Sequence, residues 1–262
     1  MASEIVRQIT PEEAELARKR EELASVQAAL ADRELELADL RAQLKSFEGR
    51  YLRQVGVLYA ELDDWDARIA ELEATLESSS GARERAERAR KRADDAHEAT
   101  HGEASRVPDF KPPAELRSLF REVAKRVHPD FASDDADRER RNRFMAEASE
   151  AYRHGDAAAL QRILSEYSES ETSVPGEGEG IGAELIRIIR QIAAARKHIA
   201  AIEQELEALR ASELAKLRAD VESVAQQGMD LLAELAESVG QQVARARDEY
   251  DALTKEAHRR GR

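Results

Sequence analysis

Apolar residues recur every seven positions through the first third of the chain. A second apolar row follows the first by three residues up to Tyr51 and by four residues beyond it. Both spacings put the rows on one helical face, and the seven-residue repeat keeps that face against a partner helix. The pattern predicts an N-terminal coiled coil over residues 10–77. Its first row is Leu16, Leu23, Leu30, Leu37, Leu44, Tyr51, Leu58, Trp65 and Leu72.

The last third of the chain carries a similar pattern, which predicts a C-terminal coiled coil over residues 183–258. The repeat slips near Ser212, so this segment either continues as one helix with a stutter or bends back as a hairpin. An acidic linker rich in Gly and Ser covers residues 168–182. The two rows are Leu185, Ile192, Ile199 and Leu206, and Ile188, Ala195, Ile202 and Leu209.

Residues 78–113 form a charged helix and a linker, and an arginine-rich stretch covers residues 83–92. The stretch is either a patch for an acidic partner or nucleic acid, or a solvated helix with Glu–Arg pairs. The lack of interleaved aromatic residues favours the solvated helix. His97 and His101 are four residues apart and could ligate zinc, but no third ligand is evident, so solvated histidines are favoured.

Residues 114–167 predict a small helical module. Its first helix has an apolar stripe that includes Leu116, Phe120 and Val127, with basic residues on the polar side. Pro129 ends this helix because proline has no backbone N–H and restricts the residue before it. A second helix follows over residues 138–153, and Gly155 and Asp156 separate it from a third short helix.

Two segments of this module resemble the J-domains of DnaJ-like co-chaperones. The stretch 120–130, FREVAKRVHPD, is similar to the family's basic second helix with its terminal His-Pro-Asp, and the stretch 145–152, MAEASEAY, is similar to its antiparallel third helix. The chain departs from the family in three places. No first helix is evident before Ala114, Phe131 stands where the family usually has Lys, and a basic motif is missing at residues 154–156.

The resemblance implies docking on a DnaK-type chaperone ATPase and stimulation of ATP hydrolysis. Matched by position to the family, the basic side chains would steer the encounter with the ATPase and dock on its acidic surface. His128 and Asp130 would make specific polar contacts, and Pro129 would fix the loop. The alternative is that His128-Pro129-Asp130 only stops a helix. The residues expected to bind the partner are Arg117, Arg121, Lys125, Arg126, His128, Pro129 and Asp130.

The composition also fits the predicted fold, which is an all-α protein in which long coiled-coil helices flank a J-domain-like module. The chain is 36% charged and 4% aromatic, has no cysteine and carries a net charge of −13. These values argue against general nucleic-acid binding and for a cytoplasmic protein without a membrane segment. No catalytic residue, metal site or cofactor is predicted, so we expect no enzyme.

Two functions follow from this sequence. The first is a J-domain-like co-chaperone whose coiled coils serve self-association, pairing with another helical protein, or client binding. The second is a structural coiled-coil scaffold whose J-like module is silent.

Overall fold

The computed structural model describes residues 10–77, 79–102, 110–171 and 180–260, and over these residues it is helical with no strand. The predicted all-α fold is therefore confirmed. No helix in these ranges is long and apolar enough to cross a membrane. A π-helical turn, Leu52–Gly56, joins α1 to α2, and a 3₁₀ turn, Pro129–Phe131, follows α4. The helices are α1 Pro11–Tyr51, α2 Val57–Glu77, α3 Ser80–His101, α4 Ala114–Val127, α5 Asp135–His154, α6 Ala157–Glu171, α7 Ile181–Ala211, α8 Glu213–Gln226 and α9 Leu231–Arg260.

The chain forms two compact units, and each combines stretches that are far apart in the sequence. The first unit comprises Met1–Ala42 and Phe110–Arg210, and the second comprises Gln43–Asp109 and Ala211–Arg262. Each unit thus contains part of the predicted N-terminal coiled coil and part of the C-terminal one.

In the first unit, the N-terminal part of α1 pairs with α7. Arg20 forms an ion pair with Glu184, and Arg41 forms one with Glu205. The partner numbers rise together, so the two helices run parallel. The seam uses residues of the predicted apolar rows, so the two predicted coiled coils pair with each other here. Its buried members are Leu16, Val26, Leu30, Leu37, Ile188, Ile192, Ala195, Ile202 and Leu206.

Helices α4, α5 and α6 form a module with its own apolar core in the same unit. The rings of Phe120 on α4 and Tyr152 on α5 lie 4.7 Å apart between centroids. At the other end, the Arg141 guanidinium donates to the carbonyl of Arg126, at 2.8 Å. These contacts show that α4 and α5 are antiparallel. The core comprises Leu116, Phe120, Val123, Val127, Ala148, Ala151, Tyr152, Ala159, Leu160, Ile163 and Tyr167.

Local sequence signals fix several helix ends in this unit. At the start of α1, the Thr10 hydroxyl accepts the Glu13 N–H, and the Glu13 carboxylate accepts the Thr10 N–H, which is a reciprocal capping box. Gly155 closes α5 in a left-handed conformation with φ of 72°. Asp156 then caps α6 by accepting the Ala159 N–H. The caps predicted at Thr10, Gly155 and Asp156 are confirmed.

In the second unit, α2 and α3 pack as an antiparallel pair joined by charged side chains. Arg90 of α3 contacts Asp64 and Glu71 of α2, each at 2.8 Å, and Arg92 contacts Asp63 at 2.6 Å. Arginines of the basic stretch 83–92 therefore balance acids of the neighbouring helix. This arrangement favours the interpretation of the stretch as a charged helix whose arginines form ion pairs with glutamates and aspartates.

The change of apolar spacing at Tyr51 coincides with the π-helical turn Leu52–Gly56. A π turn holds one more residue than an α turn, so it shifts the phase of the residues that follow. Gly56 lies in this turn, and a Cβ there would approach the Leu52 Cδ2 atom to 3.1 Å and the Thr100 Cγ2 atom to 3.3 Å. The small residue therefore permits close packing of α3 against the turn.

The predicted slip near Ser212 is a break between helices. Helix α7 ends at Ala211, and the Ser212 hydroxyl accepts the Ala215 N–H at the start of α8. Gly228 has φ of 80° between α8 and α9, and Asp230 accepts the Ala233 N–H at the start of α9. One uninterrupted helix over residues 183–258 is therefore excluded.

Candidate partner-docking site

The basic side chains on α4 meet acidic side chains on α1. Arg117 lies 2.8 Å from the Asp39 carboxylate, and Arg121 lies 3.0 Å from the Asp32 carboxylate. Asp32 and Asp39 are seven residues apart, so they share one face of α1. Both arginine side chains remain about half exposed. The first part of the predicted basic ridge is therefore neutralised within the chain but still accessible.

The remaining basic residues of α4 face a polar cleft beside α1. Arg126 forms an ion pair with Glu122 on its own helix at 2.7 Å, and Lys125 is exposed. Both line the cleft, and Ala28 lies on its α1 side. The four predicted basic residues thus lie on one side of α4, but α1 covers part of that side.

His128 is buried, with 1% of its surface exposed. Its Nδ1 atom accepts the Asp130 N–H at 3.1 Å, which caps the 3₁₀ turn. An imidazole that accepts at Nδ1 carries its hydrogen on Nε2. That atom lies 3.3 Å from Glu34 Oε1 on α1, so His128 donates to Glu34. The predicted docking histidine is an internal hydrogen-bonding residue in this structure.

Asp130 is held by a second histidine, His198 on α7. The His198 Nδ1 atom lies 3.1 Å from the Asp130 carboxylate, and its Nε2 atom lies 3.5 Å from Glu34. The hydrogen bond to Asp130 raises the pKa of His198 against the opposing effect of burial, and the Asp130 and Glu34 charges add to the rise. Burial would raise the pKa of Asp130, but the bond from His198 and the nearby His128 lower it overall.

Phe131 follows the tripeptide and enters the seam between α1 and α7. It is 7% exposed and belongs to the same apolar cluster as Leu30 and Ile192. Its carbonyl accepts a hydrogen bond from the Gln191 side-chain amide at 3.1 Å. Phe131 is therefore an apolar anchor that holds the loop against α1 and α7.

Arg141 on α5 supports the loop from the opposite side. Its guanidinium donates to the backbone carbonyls of Arg126 and His128, at 2.8 and 3.4 Å. Asp137 lies 2.9 Å from Arg141 and accepts the Ser133 N–H. Pro129 is half-buried. The loop conformation is thus fixed by α5 as well as by α1 and α7.

A buried polar contact joins the α4–α6 module to α1. The Tyr152 hydroxyl donates to the Asp39 carboxylate, which also receives Arg117. Burial, together with the hydrogen bond and charge of Asp39, raises the pKa of Tyr152. Leu35 and Ala38 pack against the module core beside this contact. One face of α1 therefore contacts α7 and another contacts the module.

A metal interpretation of the histidine cluster meets a chemical obstacle. Glu34, His128 and His198 each bring one donor atom within 4.8 Å of the others, a spacing that a zinc ion could span. Ligation through His128 Nε2 would require the ring hydrogen on Nδ1, where it would oppose the Asp130 N–H. The geometry therefore favours a hydrogen-bonded cluster.

The other histidine pair considered for zinc, His97 and His101, has a different arrangement. Their rings stack with centroids 4.0 Å apart on α3, and the His101 Nδ1 atom lies 3.0 Å from the His97 carbonyl. Stacked rings with one nitrogen turned to the backbone do not converge on an ion. The interpretation as ordinary helix-surface histidines is favoured.

The sequence did not indicate Glu34, His198, Gln191 or Asp39 as parts of this site. All four lie in predicted coiled-coil segments, where polar residues between apolar rows are ordinary. The seven-residue spacing of Asp32 and Asp39 was the available signal for an acidic stripe on α1.

Comparison with protein-family models, curated proteins and solved structures finds no match.

Proposed function

We propose that this protein is a cytoplasmic J-domain-like co-chaperone that docks on a DnaK-type ATPase and stimulates ATP hydrolysis. The supporting observation is the position of the tripeptide His128–Asp130, in the turn between the basic helix α4 and the antiparallel helix α5. Phe120 and Tyr152 fill the core between those helices. This arrangement agrees with what the resemblance implies.

The docking surface in this proposal consists of α4 and the loop that follows it. Arg117, Arg121, Lys125 and Arg126 steer the encounter with an acidic partner surface, because long-range attraction raises the association rate. His128 and Asp130 then make the specific polar contacts. The coiled-coil helices provide self-association, pairing with another helical protein, or client binding.

Steady-state ATP turnover by a purified DnaK-type chaperone tests the proposal. We expect the wild-type chain to raise turnover and His128→Gln to abolish the rise, because this proposal gives the His128 imidazole a specific polar contact with the ATPase that glutamine does not reproduce. His154→Gln is the matched control, since that histidine is exposed at the end of α5. Unchanged turnover with wild type, and with the loop-opened variants described below, would refute the co-chaperone function.

The second candidate is a scaffold in which the loop is a structural joint. The observation in its favour is the 1% exposure of His128 and its contacts with α1 and α7. In that case, His128→Gln lowers the free energy of unfolding, and no variant affects the chaperone ATPase. Because His128 is buried in this structure, the loss of unfolding free energy is expected under either candidate, and the ATPase measurement separates them.

A further inference from the structure

The α4 face that would meet an ATPase already has an occupant within the chain. Asp32 and Asp39 of α1 offer carboxylates to Arg121 and Arg117. An acidic partner surface would offer the same groups to the same guanidinium ions. Two of the four basic side chains of the docking face are therefore paired with carboxylates of the kind that the expected partner would offer.

The tripeptide is occupied in the same way. Glu34 accepts from His128, and His198 bonds to the Asp130 carboxylate. Both partners belong to α1 or α7, and neither belongs to the α4–α6 module. With His128 only 1% exposed, a second protein cannot reach the imidazole unless these helices move.

Phe131 supplies the apolar part of the contact. A lysine at this position would place an ammonium group in the α1–α7 seam, which is costly without a partner charge. The phenylalanine is instead buried in the apolar cluster of that seam, which includes Leu30 and Ile192. The departure from the family at Phe131 therefore has a structural role that serves only the closed arrangement.

We propose that the α1–α7 pair is an internal competitor for the docking face, and that the acidic surface of the ATPase binds only after this pair releases α4 and the loop. This inference rests on the proposed co-chaperone function and adds its regulation. Only molecules in which the pair has released α4 bind the partner. The apparent affinity is therefore the intrinsic affinity multiplied by the fraction of released molecules.

Two opened variants test the inference from opposite sides of the contact. Phe131→Lys removes the apolar anchor from the loop, whereas Glu34→Gln with His198→Gln removes the polar contacts from α1 and α7 and leaves the module unchanged. We expect both to accelerate amide hydrogen exchange at residues 130–132. The concentration needed for half-maximal ATPase stimulation should fall about tenfold or more, because the fraction of molecules with a released docking face rises from small to large.

A covalent lock tests the opposite prediction, and the absence of cysteine makes it straightforward. Ala28→Cys on α1 and Glu122→Cys on α4 place thiols on the two sides of one cleft. When a cleavable bis-maleimide linker joins the two thiols, the protein should no longer stimulate the ATPase. Stimulation should return after the linker is cut. The matched control is the same double variant capped with a monofunctional maleimide.

The outcomes separate this inference from the proposed function. If no form stimulates the ATPase, including variants with rapid exchange at the loop, the proposed function is wrong and the inference fails with it. If the wild-type, opened and locked forms stimulate equally, the proposed function stands and internal competition is refuted. An opened form with rapid exchange but wild-type potency also refutes it.

Discussion

At the scale of single residues, His198 connects the loop to both covering helices. Its ring lies between the carboxylates of Asp130 and Glu34, at 3.1 and 3.5 Å. A protonated imidazole carries an N–H toward each carboxylate, whereas a neutral one has a single N–H and keeps only one of the two contacts. The strength of the loop contact should therefore depend on pH.

The first prediction concerns this pH dependence. Because the pKa of His198 is raised in the folded chain, its stabilisation is fully present below the ordinary histidine value of about 6.5 and is lost as pH rises through the raised value. We expect the His198 ring signal to titrate above the ordinary range by NMR. Loop amide exchange should rise with pH more steeply in wild type than in His198→Gln.

The charged groups that act on His198 are Glu34 on α1 and Asp130 in the loop, and the His128 ring lies against it with centroids 4.9 Å apart. Arg138 on α5 acts on Asp130. The lowered pKa of Asp130 adds a separate effect, since its stabilisation holds above the ordinary aspartate value and is lost as pH falls through the lowered one. Titration of His198 at the ordinary histidine pKa would contradict the assigned contact.

The second prediction compares two carboxylates of α1. Asp39→Ala leaves the buried Tyr152 hydroxyl without its acceptor and should cost about 1–3 kcal/mol of unfolding free energy. Asp32→Ala removes only an exposed ion pair with Arg121 and should cost less than about 1 kcal/mol. Urea unfolding followed by circular dichroism measures both, and equal losses would argue against a buried role for Asp39.

At the scale of helices, the breaks in the chain decide which apolar faces meet. The π turn at Leu52–Gly56 changes the phase between α1 and α2, and the turn at Gly228 separates α8 from α9. In the second unit, α8 and the first turns of α9 then share one apolar cluster with Phe47 and Val55. Without these breaks, the seven-residue rows would continue on a single face.

The third prediction compares two glycines near or in α9. Gly228→Ala should destabilise the second unit by about 1 kcal/mol, because its φ of 80° disfavours a Cβ. Gly240→Ala should stabilise it by up to about 1 kcal/mol, because the site is helical with nothing within 4 Å of a new Cβ. Fluorescence of Trp65, which contacts Tyr250 of α9, reports the unfolding of this unit. Shifts of the same sign for both variants would contradict the prediction.

At the scale of the whole chain, segments separated by more than 160 residues complete each other's apolar faces. The pairs Arg20–Glu184 and Arg41–Glu205 show that the α1–α7 seam forms within one chain. The N-terminal coiled coil thus has an intramolecular partner in the first unit.

The fourth prediction follows from this intramolecular seam. Folding that buries the seam within one chain should give a thermal midpoint that does not depend on protein concentration, whereas a seam between two chains gives a midpoint that rises with concentration. Calorimetry over a hundredfold range of concentration tests this. Leu30→Ala serves as a reference variant, because truncation of this buried side chain leaves a cavity in the seam and lowers the midpoint. A midpoint that rises with concentration would show that copies associate through this surface.

The sequence by itself determined the helical class, the apolar rows, the capping residues Thr10 and Asp156, and the helix stop at Pro129. These features depend on spacings of a few residues, which the backbone geometry of a helix converts directly into structure. The J-domain-like function stays a prediction.

Only the tertiary structure decided that Glu34 and His198 meet at the tripeptide and that Phe131 enters the α1–α7 seam. These contacts join residues 60 to 164 positions apart. No periodic pattern marks such partners, because a polar residue on an exposed helix face and one at a buried contact look the same in the sequence. The cluster depends on which faces pack together, and that choice is made by the burial of the whole apolar seam.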